Sequence, residues 1–336
     1  MKIALFVAGD ENIFFPALVA LNSIEDHNPD VFDLYLCFDK AKLTLHMSKT
    51  LDRYKINFID SALLAIDCHL NSLPLMKEGR WPKEIFLNWA LPEYFHGLGY
   101  RHSIKVDYDI LCVGSYDIAS ILPGSNFLTG LLFDVAPEKE NVSSHTLDYL
   151  IKEELYKPES KTYINAGFVV FDNNKAHNFS FFRKLVNTYS TLLTSSPNAN
   201  LAEQLSVAFV ISTCENGVHE LDGKYNHRVR WGILVGDDLA PQVKNIHYIT
   251  SVKPWKPFDR KLIRSFVNQR QGVIFAYRAI WLEKASKIEG FEIYCDERPL
   301  NQEQMLGINI LICHNYNQRI YELEKKLKEI NSLSCL

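Results

Sequence analysis

Short apolar runs alternate with helical patterns from the first residues to about position 250, and this alternation organises the chain. Residues 2–8 read as a strand. Pro16, well placed in a first turn, then opens a helix with Leu18, Leu21 and Ile24 on one face. The pattern predicts a second strand at 33–38, a helix at 42–54 and a third strand at 55–59. A helix is expected over 82–95, where Pro92 should kink or end it. Further strands are expected at 102–107, 126–133, 163–172 and 243–249, and helices at 145–155, 176–193 and 200–212. Such alternation implies a mainly parallel sheet with helices on both faces, in which ligands bind beyond the carboxyl ends of the strands. The Gly9-Asp10-Glu11-Asn12 turn and the pair Asp107/Asp109 both fall at such ends, so one crevice can hold both.

Composition narrows the class without naming a chemistry. The 336 residues suffice for one large domain or a domain with an appendage, and 47% hydrophobic and 23% charged residues are ordinary for a soluble protein. No apolar run approaches the roughly 20 residues of a membrane span. The opening MKIALFVAGDENIF reads as a first strand rather than a signal peptide, its apolar run being too short. The seven cysteines are scattered and never form a C-x-x-C pair, which fits reduced thiols in a cytoplasmic protein. The net charge of −4 excludes the basic balance of a nucleic-acid binder. It hides an asymmetry: 14 Lys/Arg against 10 Asp/Glu after residue 250, and 22 against 30 before it.

The chemistry concentrates at Lys105-Val106-Asp107-Tyr108-Asp109, two carboxylates two residues apart in an otherwise apolar run. On a buried strand both project to the same side, where they repel unless something cationic sits between them. Hard oxygen ligands suit Mg²⁺ or Mn²⁺. Further on, Asn165-Ala166-Gly167 enters a strand, with small residues that let a ligand approach the backbone. Glu203-Gln204 begins an apolar helix, and Tyr225-Asn226 precedes a Trp-Gly pair. His247 stands six residues before Lys253-Pro254-Trp255, which supplies a third metal ligand and a point charge for phosphate.

In this order and spacing the set resembles glycosyltransferase family 8, the retaining nucleotide-sugar transferases, over about residues 1–255. The resemblance implies an α/β fold of GT-A type: a Rossmann-like, mainly parallel sheet flanked by helices. It implies transfer of a hexose from a UDP-sugar to a glycan or glycolipid acceptor, as in bacterial cell-surface polysaccharide or lipopolysaccharide synthesis. Asp107, Asp109 and His247 would then hold Mn²⁺ or Mg²⁺. Donor contacts would come from Ala8, Asp10, Asn12, Asn88, Lys105, Asp107, Tyr108, Asn165, Ala166, Gly167 and Lys253, and Glu203 and Gln204 would be catalytic. The chain departs from the family pattern at Ile13, Asn88, Leu205 and Thr250. Asn88, Leu205 and Thr250 are the best support for an alternative, a nucleotide- and metal-binding protein without the chemistry. A nucleotidyltransferase would need a Gly-rich phosphate loop near the N-terminus, where only Gly9 stands.

After Trp255 the character changes. Residues 259–288 carry Lys261, Arg264, Arg270, Arg278, Lys284 and Lys287 among Ile263, Phe266, Val267, Tyr277 and Trp281, and Tyr316, Ile320, Leu323, Leu327 and Ile330 follow a 4-3-4-3 spacing. The expected division is a catalytic domain at 1–255 and a helical extension at 256–336. That extension would dock on the inner face of a membrane or on a second protomer, or simply pack on its own domain.

Overall fold

The structure is a computed structural model; it describes residues 2–67, 83–158, 160–199, 201–229, 242–249, 253–256, 273–295, 321 and 323–325. Its centre is strand β1 (Ile3–Ala8), an unbroken apolar run with every residue buried, as a strand covered on both faces requires. β1 pairs in parallel with β2 (Phe32–Phe38) on one side and β4 (His102–Val106) on the other, and β2 pairs in parallel with β3 (Asn57–Asp60). β7 (Ile164–Asp172) runs antiparallel between β4 and β6 (Leu128–Leu132), and β8 (Val218–Glu220) closes the edge beside β6. The seven-stranded order is therefore β3-β2-β1-β4-β7-β6-β8.

The period-two alternation sorts the core into two layers. Ile3, Leu5 and Val7 join Leu34, Leu36, Ile104, Val106, Phe168 and Val170 on one face, against helix α1 (Phe14–His27). Ala4, Phe6 and Ala8 join Cys37, Val169 and Phe171 on the other. That second face is covered by α4 (Leu87–Gly97), α8 (Phe181–Ser195) and α9 (Ala202–Ser212). Helices α2 (Leu45–Arg53), α3 (Ser61–Asp67), α5 (Ile118–Ile121), α6 (Ser144–Lys152) and α7 (Asn173–Phe179) complete this body. No helix among the described residues is long and apolar enough to cross a membrane.

A small second sheet sits at the mouth of the first. β5 (Ile110–Cys112) pairs antiparallel with β10 (Asn245–His247), which pairs in parallel with β9 (His227–Arg228). The strand expected at 102–107 ends at Val106, and the apolar run that carries Asp107 and Asp109 is broken there. The chain leaves the large sheet at Val106, turns, and enters the small one at Ile110. The Asp107 N–H donates to Gly167 O at 2.8 Å and the Ile110 N–H closes back on Asp107 O at 3.1 Å. The carboxylates converge because they share a turn, not a pleat.

Other departures have local causes. The helix expected at 176–193 is two, α7 and α8, broken where Ser180 adopts a left-handed conformation, φ 53°. Pro92 lies inside α4, which continues past it to Gly97. Helix Val273–Ala285, here α10, buries Tyr277, Trp281, Leu282 and Ala285 in the same core as α1, with Trp281 edge-on to Phe15 at 6.4 Å. A short helix α11 (Phe291–Tyr294) follows, its Tyr294 stacked on Phe15. Several basic residues of this segment find partners inside the molecule: Lys284 with Asp26, Lys287 with Glu283, and Arg278 with backbone carbonyls. Lys261, Ile263, Arg264, Phe266, Val267 and Arg270 lie outside the described residues, as do Tyr316, Ile320, Leu327 and Ile330 of the 4-3-4-3 seam; Leu323 is exposed.

Candidate active site

The ends of β1, β4 and β7, the starts of α4 and α9, and the loop after β10 enclose one cavity of about 620 Å³. Every site residue expected from the sequence lines it: Ala8, Asp10, Asn12, Asn88, Lys105, Asp107, Tyr108, Asp109, Asn165, Ala166, Gly167, Glu203, Gln204, His247 and Lys253. Phe86 and Tyr189 line it too, and neither belongs to any of the sequence motifs.

Asp107, Asp109 and His247 present one ligand atom each within 4.8 Å of one another. His247 Nε2 lies 3.2 Å from Asp109 Oδ1 and 3.6 Å from Asp107 Oδ2. Two lysines flank the trio. Lys105, itself buried, bonds Asp107 and the Ala166 carbonyl, and Lys253 bonds Asp109 and, at 2.8 Å, Tyr248 O. Burial alone would push the Asp109 carboxyl up, but His247 and Lys253 outweigh it and hold it well below the usual carboxylate range.

A chain of amides fixes the imidazole. The Gly167 backbone N–H donates to Asn165 Oδ1 at 3.1 Å, so that atom is an acceptor and Asn226 Nδ2 must be its second donor, at 2.8 Å. Asn226 Oδ1 then faces His247 Nδ1 at 2.8 Å, and Nδ1 must carry the hydrogen. The ring therefore turns Nε2 toward the two carboxylates, as the atom that exchanges a proton for a cation. Two carboxylate oxygens and a bare imidazole nitrogen in one shell suit a divalent ion, so the residues present fit a metal of the Mn²⁺ or Mg²⁺ type. Asn226 stood in the sequence motif without a role. Only its link to His247 through the folded chain gives it one. Gly167 serves the same ring, because a Cβ there would collide with His247 Nδ1 and Cε1.

At the start of α9, Glu203 is buried and its Oε1 accepts from Trp89 Nε1. Burial pushes its carboxyl up to about 7, with Lys105 and the Trp89 hydrogen bond acting the other way. Gln204 Oε1 is buried and has no hydrogen-bond partner among the described residues, and the same holds for Asn88 Oδ1. The Asn88 amide nitrogen is tied to Ile85 O at 3.1 Å. Leu205, where the family pattern has an acid, is fully buried core, and Ile13 lines the cavity. Asp10 caps the turn after β1 by accepting from the Asn12 N–H at 2.9 Å. Thr250 lies outside the described residues.

The raised Glu203 carboxyl makes stability depend on pH. The folded state binds this proton more tightly than the unfolded chain, so stability falls as pH rises from about 4.5 to about 7. Glu203→Gln is expected to remove that slope, worth up to ~3 kcal/mol across the window. Denaturant unfolding of both proteins at pH 5 and 8 in chelator checks it; parallel pH profiles would contradict the assignment.

A mixed sheet covered by helices on both faces, with a carboxylate-turn-carboxylate at the end of β4 joined by a histidine from a second small sheet, is a GT-A-type fold, shared with solved glycosyltransferases. The sequence model described as glycosyl transferase family 8 matches residues 4–258, and the chain belongs to that family. No curated protein matches the chain. Among solved structures it is similar to the galactosyltransferase LgtC in complex with donor and acceptor sugar analogues, at 16% identity and a TM-score of 0.57, covering 88% of this chain and 100% of that one. It is also similar to the bifunctional glycosyltransferase WbbM (14% identity, TM-score 0.56, 87% of this chain and 51% of that one). Mouse xyloside xylosyltransferase 1 shares the fold at 15% identity and a TM-score of 0.51, over 74% of this chain and 98% of that one.

Proposed function

We propose that the protein is a metal-dependent, retaining hexosyltransferase that moves a hexose from a UDP-sugar to a glycan or glycolipid acceptor in cell-surface polysaccharide or lipopolysaccharide synthesis. The observation that carries this reading is the Asp107–Asp109–His247 trio, flanked by two lysines, in the same cavity as Glu203 and Gln204. Asp107, Asp109 and His247 would hold Mn²⁺ or Mg²⁺, which when bound supplies a Lewis acid against the leaving diphosphate. Lys253 adds a charged hydrogen bond to the same phosphate oxygens. Ala8, Asp10 and Asn12 face the nucleoside, and Asp107 and Tyr108 lie beside the ribose. Asn165, Glu203 and Gln204 hold the sugar hydroxyls, while Asn88, Ala166 and Gly167 border the donor. The unpartnered oxygen of Gln204 meets the positive charge that develops at the anomeric carbon, either as nucleophile or as a fixed dipole. That LgtC was solved with donor and acceptor sugar analogues supports the same pair of partners here. The work would be done in the cytoplasm, with part of residues 256–336 meeting the membrane that carries the acceptor or a second protomer.

Incubation with a panel of UDP-sugars and Mn²⁺ tests the reading. Released UDP, with the freed sugar first appearing in the donor's anomeric configuration, is expected. No UDP release from any donor, with UDP still bound, would favour the binding-protein alternative. Lys253→Ala is expected to weaken UDP by roughly 1.5–3 kcal/mol in Mn²⁺, read by calorimetric titration. Unchanged affinity would remove Lys253 from the diphosphate site.

A further inference from the structure

Helix α10 lies beyond residues 4–258 matched by the family model, yet it grips the loop that carries Lys253. Arg278 Nε donates to Pro254 O at 3.1 Å and its Nη2 to Lys256 O at 2.9 Å. Between those carbonyls the chain makes a turn, closed by the Lys256 N–H on Lys253 O at 3.0 Å. One residue earlier in the helix, the Tyr277 carbonyl accepts from the Tyr248 hydroxyl at 2.7 Å. Tyr248 in turn lends its own carbonyl to Lys253 Nζ. Beside the Asp109 carboxylate, two determinants of the ammonium's position, the turn that bears it and the Tyr248 carbonyl, are thus tied to α10. One turn further along, Trp281 packs on Trp255 at 5.2 Å, and Trp255 meets Tyr108, between the two metal-type aspartates, at 5.9 Å.

Arg278 is the unusual member of this set, an arginine only 6% exposed as a residue. A charge withdrawn from water must be matched by hydrogen bonds, and two of those Arg278 makes run from its planar fork to carbonyls of this one turn.

We propose that Arg278 is a positioning residue of the active site, holding the 253–256 turn so that Lys253 reaches the donor diphosphate, which makes chain beyond the family domain part of the nucleotide site. The proposal rests on the reading of Lys253 given above. The test is a double-mutant cycle on the full chain: Arg278→Ala, Arg278→Lys, Lys253→Ala and the Arg278→Ala/Lys253→Ala pair. UDP affinity is measured in Mn²⁺, and amide exchange over 253–256 is measured without nucleotide. Arg278→Ala is expected to weaken UDP about tenfold and to speed exchange in the turn, while the double variant binds no more weakly than Lys253→Ala alone. The milder Arg278→Lys, which keeps the charge and loses the fork, is expected to fall between wild type and alanine in both readouts. Unchanged exchange in the turn, unchanged UDP affinity, or losses that add in the double variant would overturn the proposal, the last showing an effect independent of Lys253. A wild-type chain that binds no UDP in Mn²⁺ would overturn the functional reading instead, and the exchange measurement would still judge the grip of Arg278 on the turn.

Discussion

Asp109→Ala is expected to abolish Mn²⁺-dependent UDP binding and to lower sugar transfer by ~10³-fold or more, since a Lewis-acid metal is worth several kcal/mol at a leaving diphosphate. The residue is buried, stands 3.2 Å from His247 Nε2 and pairs with Lys253. Removing it deletes one of the three candidate ligands and leaves the Lys253 ammonium without its carboxylate partner beside the place a divalent ion would occupy. Because the Asp109 carboxyl is held well below its ordinary value in the folded protein, its contribution to stability is present at neutral pH and is lost as the pH falls. The alanine variant should therefore also lose part of the acid limb of the stability profile. UDP titration with and without Mn²⁺, beside circular dichroism to confirm the fold, checks this. Metal-dependent binding undiminished in the variant would mean the carboxylate pair has been misread.

Gly167→Ala should disable the same centre from outside the ligand set. Its Cβ would land on the His247 ring and lie 3.0 Å from Asn165 Oδ1, at a residue whose carbonyl accepts from the Asp107 N–H at 2.8 Å and whose N–H donates to Asn165 Oδ1. With the backbone tied at both groups, the imidazole is expected to turn and its bond to Asn226 to break. Disturbing such an outer-shell support typically costs 10–100-fold in metal affinity, and that is the expected loss here. Overpacking should also lower stability, on the order of 1–3 kcal/mol. Mn²⁺ affinity from the paramagnetic resonance of the free ion is the direct readout. An alanine variant that holds Mn²⁺ as tightly as wild type would show that the ring has another place to go.

Much of the fold was legible because its central strands are long apolar runs. Ile3–Ala8 and Ile164–Asp172 announce themselves as buried strands, and the period of α1 and the Pro near its start mark that helix. The short strands were not legible. Val218–Glu220 and His227–Arg228 carry no periodicity of their own and exist only because a distant strand pairs with them. The break at Asp107 to Asp109 escaped for a related reason: Val106 and Ile110 are equally apolar, and only their membership in different sheets separates them.

The candidate site was legible as a list of residues, since each motif places its chemistry at a strand or helix end. Its internal wiring was not. Asn226 to His247, and Lys105 to Ala166, are contacts between segments separated by 21 and 61 residues, fixed by topology rather than by spacing. The segment after Trp255 shows the opposite limit. Its mix of basic and apolar residues suggested a surface that meets something else, yet Tyr277, Arg278, Trp281 and Lys284 turn toward α1 and the active-site loop.

The central claim, that Asp107, Asp109 and His247 form a metal centre which carries a nucleoside diphosphate, is tested most directly by calorimetric titration of the full chain with UDP, once in Mn²⁺ and once in chelator. Saturable 1:1 binding in Mn²⁺ that disappears in chelator is the predicted result. Equal affinity in both conditions, or no binding in either, would contradict it.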